Sequence, residues 1–474
     1  MSNVRRWNKK AMWRTALRLG MAFASVFCSA AHLEVKQEPG AMEVVCKDST
    51  KWVYVYEDVP YKPYIKELRT PSGLNVLLDS PPDHKHHHGL MLALGVDQVD
   101  FWGEHDPNQV GTQSTVAIES ISENGKKSGG HAGLVCRLNW KAPDGSVLLE
   151  ETRSIRTFLT QEDPVTLLTW QSDLSVPESA SSTTLWGRHY FGLGMRFLPG
   201  MNGALFFNAD AREEDVVRGS EKLVYSRWCA CRAQVDGKPV TVAMFDHPLN
   251  PRYPARWFTM NDPFSYLSAT LNLEAQPGAV NAERPLSLRY GVALWDGHKV
   301  PEGIEAMYQT WLSLENPMKE GINVARDSAG ASAFASSEYG PEYVAGKAID
   351  GRYTVRETDK WNSKENITPH YVRVDLGQPR TIDCVVVRHE GVIVGGDAFR
   401  WNTQDFRVQG SKSPWGPWKD LVVPVYRNTD NVTIHRFEPV KVRFVRILIE
   451  TGEQQNGNAY GRIPEVEIYS QREG

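Results

Sequence analysis

Five of the chain's 13 histidines fall close together: His84, His86, His87, His88 and His105. Imidazole titrates near neutrality, so such a cluster suits proton transfer. It also ligates transition metals. On an extended segment His84, His86 and His88 would share one face, with Asp83, Lys85 and His87 on the other. His84, His86 and His87 are therefore candidate catalytic residues, and His84 and His86 candidate transition-metal ligands. Pro81-Pro82 disfavours helix just before the cluster. After an apolar run comes Asp100-Phe-Trp-Gly-Glu104, where Trp102 offers a ring for substrate and Glu104 a carboxylate. The plainer alternative is a solvated His-rich turn.

Two further stretches carry comparable chemistry. Trp186-Gly-Arg188-His189-Tyr-Phe191 sets a cation and an imidazole among aromatics. Phe245-Asp246-His247-Pro-Leu-Asn250-Pro-Arg252-Tyr-Pro254 follows a strand-like run. Its three prolines stiffen a loop that would display Asp246, His247, Asn250 and Arg252 rigidly. Trp257 follows as a second candidate substrate ring. Each stretch also has a structural alternative: an amphipathic strand for the first, a Pro-fixed turn capped by Asp246 for the second. Glycoside hydrolysis usually needs two carboxylates. Glu104 and Asp246 are the candidates, but no marked pair stands out. Histidine-based or metal-assisted chemistry is favoured instead.

The elements that must position these groups read as strands. Trp52–Glu57, Leu167–Trp170, Thr241–Phe245, Leu286–Leu294, Cys384–Val387 and Phe444–Ile449 are rich in β-branched or aromatic residues. One helix is expected near 302–315, where Ile304, Met307, Tyr308, Trp311 and Leu312 recur on one face. Asn316-Pro317 ends it. The expected organisation is a first domain over 35–317, a linker over 318–324 and a second domain over 325–474. No fixed-period repeat is present.

Residues 1–31 read as a signal peptide: six basic residues and no acid, then a short apolar run and small residues. Export to the periplasm or the extracellular space is expected. Without that stretch the formal charge moves from −4 to −10. So acidic a chain argues against nucleic acid as a partner. No apolar run reaches the length of about 18 needed to span a bilayer. Cys46, Cys136, Cys229, Cys231 and Cys384 read mostly as small buried hydrophobes.

The second domain resembles the discoidin, or coagulation-factor type C, family. The resemblance rests on an ordered set: Ala333–Ser337, Ala348-Ile-Asp350-Gly351, Trp361, Tyr371–Gly377, Val442–Ile447 and Pro464–Tyr469. It implies a jelly-roll sandwich that binds sugars, lipid head groups or proteins through loops at one end. It also implies a structural Ca²⁺, often present in such domains, whose matching residues here are Asp350, Glu465 and the nearby Thr354; the alternative is that Asp350 simply makes an Asx-turn. Candidate sugar contacts are Arg388, His389, Arg400 and Trp401, in or beside the long loop after Val387.

The first domain is similar to the PmoA-like family of exported bacterial proteins, over about residues 50–315. The motifs are Asp83-His84-x-His86-His87, Val99-Asp-Phe-Trp102 and Asp246-His247-Pro-x-Asn250-Pro-Arg252. His88 departs from the pattern, which more often has Arg there. Length and strand content resemble the two-sheet supersandwiches of the galactose-mutarotase type, a likeness of fold alone. The expectation is an all-β protein: a large two-sheet β-sandwich followed by a discoidin-type jelly roll.

Functionally, the expected protein is an exported carbohydrate-active one, acting on a polysaccharide or oligosaccharide through a His/Asp site, by cleavage or epimerisation. A non-catalytic glycan-binding protein and a metal-dependent oxidoreductase are the alternatives. No organic cofactor is expected. The oligomeric state is not readable from the sequence.

Overall fold

The structure is a computed structural model. It describes residues 32–474 apart from Pro60, Pro107, 124–129, 161–163, 316–320, 354–357, Ile367, 395–399, 454–459 and 472–474. The stretch read as a signal peptide, and part of the stretch read as a linker, lie outside the described residues.

The chain is nearly all β, as its residue pattern requires. Two large antiparallel sheets, of ten and eight strands, build the N-terminal domain together with a smaller one of four. Alternation along the strands decides the layers, because successive side chains point to opposite faces. In Leu90–Ala93, Leu90 and Leu92 enter the core between the sheets, while Met91 and Ala93 face outward into a separate apolar cluster. In Tyr266–Thr270, Leu267 and Ala269 face the core and Tyr266 the outer cluster. In Lys238–Asp246, Val240, Val242 and Met244 face the core, while Ala243 and Phe245 face the other way.

The helix Pro301–Leu314 covers that last face. Proline in its first turn fits a position with no intrahelical N–H partner, and Glu302 complements the helix dipole. Ile304, Met307, Tyr308 and Trp311 bury against Phe245, Trp228 and Trp295. Four layers result: helix, eight-stranded sheet, ten-stranded sheet, and an aromatic layer on the outer face of the latter.

The C-terminal domain is built on two long strands, His370–Arg388 and Val432–Thr451. Their register breaks between Asp375 and Arg380 and again between Ile382 and Cys384. One half of His370–Arg388 pairs with Ser332–Ala335, the other with Glu465–Gln471. A bulged strand bends, so one strand pair serves both walls of a sandwich. Gly321–Asn323, in the stretch read as a linker, is a strand paired with Glu465–Gln471.

A buried ion pair braces the first domain. Arg153 Nε and Nη2 donate to the two oxygens of Glu151, at 2.8 and 2.9 Å. Arg153 also donates to Gln113 Oε1, Tyr54 Oη and the Pro63 carbonyl. Glu151 accepts from Trp140 Nε1 and Ser172 Oγ. Gln113 N–H in turn holds the Tyr61 carbonyl at 2.7 Å, so this network fixes segment 61–63. Both charged residues are sealed from water. Removing one would leave the other uncompensated. Arg153→Ala is therefore expected to lower unfolding free energy by about 3–5 kcal/mol. Urea denaturation of the purified protein would check this.

Candidate active site

The histidine segment is not extended. His84 N–H bonds the Pro81 carbonyl, His87 N–H the His84 carbonyl, and Ser80 N–H the His87 carbonyl. Pro-Pro-Asp starts the first turn, since proline presets φ and Asp favours turns. The turns abolish the expected face of His84, His86 and His88. His84, His86 and His87 instead pack together, ring centroids 4.6–5.7 Å apart, and His88 turns to other partners.

His88 sits between two carboxylates. Its Nδ1 is 2.8 Å from Asp79 Oδ1 and its Nε2 3.0 Å from Glu104 Oε1. It stacks on Tyr64, whose hydroxyl donates to Asp79. Glu104 also receives Lys62 Nζ at 2.6 Å, and Lys62 donates to the Trp102 carbonyl. Asp100 positions this corner by accepting the N–H groups of Trp102 and Gly103. Four strands converge beneath it. Tyr64 opens Tyr64–Leu68, His88 leads into Leu90–Ala93, and Arg196 and Tyr266 are cross-strand partners.

Burial opposes charge on His88, but its bonds to Asp79 and Glu104 outweigh this and raise its pKa above the ordinary 6.5. Burial likewise opposes charge on Glu104, yet His88 and Lys62 lower its pKa below 4.5. Both shifts favour the ionic form of the pair. Burial lowers the pKa of Lys62 in spite of Glu104. Burial, then Lys62 and His84, push His86 down to about 4; burial, then its two histidine neighbours, push His87 down to about 2. Those two imidazoles are neutral.

An aromatic wall closes the other side. Trp102 stacks on Phe191 at 4.9 Å and meets Tyr190 edge-on. Phe264 and Tyr266 flank His87. Arg196 lies over Phe264, beside His87 Nδ1 and Asp83. Three polar atoms here are buried and lack a hydrogen-bond partner: Trp102 Nε1, the Tyr266 hydroxyl and Arg196 Nε. Native proteins rarely leave buried donors unpaired.

Residues 41–309 match the model of a family of unknown function (DUF6807). The chain belongs to the DUF6807 family. The matching model does not bear the PmoA-like name that the motifs suggested. In this family member, residues 332–466 match the F5/8 type C domain. No curated protein matches the chain. Among solved structures it is similar to chitosan-binding module 1 of a chitosanase/glucanase from Paenibacillus sp. IK-5, at 22% identity, covering 31% of this chain and 99% of that one, with a TM-score of 0.26. It is also similar to the family 32 carbohydrate-binding module of Streptococcus pneumoniae EndoD, at 22% identity, covering 32% and 100%, TM-score 0.26. A third is the family 32 module of C. perfringens NanJ in complex with galactose, at 19% identity, covering 32% and 98%, TM-score 0.25.

The remaining sequence candidates of this DUF6807 chain go to several places. His84, His86, His87, Glu104 and Trp102 are in the cluster. His189 lies along the wall, packed on Tyr190 and set between Glu274 and Glu221; Arg188 is exposed in the adjoining turn. Trp257 is a correction: it fills the core between the sheets, its Nε1 on the Ser226 carbonyl. The loop from Asp246 to Arg252 is a second correction, for its side chains make contacts separate from the cluster. Asp246 accepts from Asn250 Nδ2 and Ala255 N–H, both at 2.6 Å. Asn250 bonds both backbone groups of Arg289. His247 is buried against Trp311, and Arg252 Nη1 donates to Gln276. The loop presents its backbone to the C-terminal domain: Asn431 bonds the Pro251 and Tyr253 carbonyls, and Arg388 the Pro248 carbonyl.

The same junction corrects two candidate sugar contacts. Arg388 is buried and paired with Glu467, and His389 is buried on Thr433. Trp401 lies under Arg462, beside Tyr460, and Arg400 is exposed. Sequence reasoning missed Lys62, Asp79, Tyr64, Arg196 and Tyr266. Asp79 was reachable, five residues before His84 in one loop; Tyr64, Arg196 and Tyr266 arrive by strand pairing, and Lys62 from the segment just before Tyr64–Leu68.

Several nitrogens of the cluster that a transition metal would need are engaged within the protein. His84 Nδ1 is committed to Asp83, both nitrogens of His88 to carboxylates, and His87 Nδ1 lies against Arg196. Among the described residues no three such side chains are placed to hold a metal. In the second domain, Thr354 lies outside the described residues. Glu465 accepts Gly351 N–H at 3.0 Å on one oxygen; the other is buried without a hydrogen bond, 3.2 Å from Arg326 Nη1. Asp350 Oδ1 accepts Arg352 N–H. A hard cation held there by Glu465 and Asp350 would replace Arg326 and Lys347 as their counter-charges.

The charge pattern makes a pH prediction. His88, with its raised pKa, contributes stability at low pH that is lost as pH rises through its folded value. Glu104, with its lowered pKa, contributes stability at high pH that is lost as pH falls below about 4.5. The stability difference between wild type and His88→Gln should be greatest from about pH 5 to 6.5 and shrink above it. By NMR, His88 should titrate above 6.5 and His86 at about 4. A midpoint for His88 below that of His86 would contradict the assignment.

Proposed function

We propose that this is an exported carbohydrate-handling protein whose N-terminal domain takes a sugar at the histidine cluster, while the C-terminal domain holds the glycan through its loops. The observation that carries it is the trio of unpartnered buried donors around His87. A sugar offers hydroxyl oxygens to such donors and a ring face to an aromatic wall. The F5/8 type C match over residues 332–466 is in keeping with a glycan for the second domain. Trp401, Tyr460 and Arg462 are its loop contacts in this reading.

Chemistry on the bound sugar falls to the His88–Glu104 pair once a sugar hydroxyl displaces their mutual hydrogen bond: the imidazole then gives its Nε2 proton and the freed carboxylate accepts one. His86 and His87, held neutral, orient hydroxyls. A second reading, binding without turnover, is favoured by those two depressed pKa values, which make His86 and His87 weak bases at neutral pH. Incubation with soluble galactan, xylan and chitosan, with analysis for released or epimerised sugar, separates the two. Turnover by wild type that His88→Gln abolishes supports the first. Binding with no product supports the second. No binding to any sugar would remove both. Trp102→Phe keeps the ring stack and deletes one donor, so affinity should fall by about tenfold at most.

The Ca²⁺ reading belongs here also. Asp350 and Glu465 would hold it and clamp the Asp-Gly turn to the last strand. Chelation should then lower the melting temperature of the full chain, because a ligand bound only by the folded state stabilises it. An unchanged melting temperature would leave Arg326 as the counter-charge of Glu465.

A further inference from the structure

One wall of the C-terminal sandwich carries two arginines whose hydrogen bonds go to uncharged acceptors. Arg373 and Arg446 stand directly opposite each other on His370–Arg388 and Val432–Thr451. Their chain neighbours Val372, Val374, Val445 and Ile447 point into the core, so both arginines lie on the outer face. Like charges in direct opposition destabilise a sheet. Burial, together with the adjacent Arg373 charge, lowers the pKa of Arg446.

Rings hold both guanidinium groups in place. Arg373 lies 5.1 Å from the Phe334 ring and 5.9 Å from Phe444. Arg446 lies 4.3 Å from Trp418 and 5.8 Å from Tyr371. Their hydrogen bonds go to uncharged acceptors: the Pro414 carbonyl for Arg373, Gln409 Oε1 for Arg446. Arg373 Nε is buried with no partner. The acids of this face are committed elsewhere, Asp375 to Arg443, and Asp420 and Glu450 to Arg407. Next to Pro414, Trp415 is 87% exposed, and Phe334 is 49% exposed.

We propose that this face binds an acidic polysaccharide, with the arginine pair receiving the carboxylate or sulfate of one sugar and Trp415 stacking on a neighbouring ring. A guanidinium matches a carboxylate or sulfate with a fork of donors, and stacking on rings preorganises it. Nucleic acid fits less well. Its binding draws on many phosphate contacts, whereas this face offers one cation pair in a chain of net charge −4. The site is separate from the histidine cluster, and the two proposals can fail independently.

The test is titration of the full chain with polygalacturonate and with dextran sulfate, using neutral dextran and duplex DNA as controls. At least one acidic polysaccharide should bind and dextran should not. Polygalacturonate alone would identify a carboxylate site; binding of both would identify a site for either anion. Arg446→Gln and Trp415→Ala should each weaken binding by about tenfold, the scale of one charge-assisted contact. Trp415 is exposed, so its removal tests the site without threatening the fold. Failure to bind either polymer, wild-type binding by both variants, or equally tight binding of DNA would overturn the proposal.

Discussion

The carboxylate of Asp246 fixes how the two domains meet. It lies at the end of a core strand, where it accepts Asn250 Nδ2 and Ala255 N–H. Those bonds curl the Pro-rich loop back on itself and leave its outer carbonyls aimed at Asn431 and Arg388. The Asp246 carbonyl also receives the Tyr308 hydroxyl from the covering helix. Burial raises the Asp246 pKa to about 8, so folding favours its proton between the unfolded value and that point. Stability from this group therefore falls as pH rises from about 4 to 8. The junction accepts that cost because apolar contact surrounds it, with Tyr253 packing among Val386, Val392, Ile393 and Val432.

The histidine cluster answers to a different constraint. It lies on the outer face of the ten-stranded sheet, where alternation has already placed Tyr64, Met91 and Tyr266. Partly buried charges persist there only when paired. Lys62, Glu104, His88 and Asp79 form a chain of alternating sign, with each charge next to an opposite one. The Arg153 network behind segment 61–63 sets where Lys62 enters that chain, so a core ion pair helps to place a surface one.

Much of the fold was legible. β-branched and aromatic runs marked strands, the i, i+3, i+4 pattern marked Pro301–Leu314, and the ordered motifs marked the second domain. The site was half legible. His84, His86, His87, Trp102 and Glu104 share two neighbouring loops, and local density revealed them. Arg196 and Tyr266 meet only because their strands pair, which no local pattern announces. The extended reading of 83–88 gave too little weight to Pro81-Pro82-Asp83 as a turn. Asp246, His247, Asn250 and Arg252 misled for a more basic reason. The residue types that hold a substrate also clamp backbone, since both tasks need short, strong hydrogen-bonding side chains.

Satisfaction, rather than residue type, separates the two clusters. At the junction, both Asp246 oxygens, His247 Nδ1 and both ends of the Asn250 amide have partners within the protein. Nothing in that set is left to hold a ligand. Beside His87, three buried donors are unspent. An unpaired buried polar group costs on the order of 1–3 kcal/mol, and three in one place is a cost that folding alone does not explain. Arg373 shows the same signature on the second domain, one unspent donor within a cation pair. In the proposed reading an acceptor from another molecule would satisfy the donors clustered at each place, and the neighbouring rings favour a molecule with a flat face and oxygen at its edge.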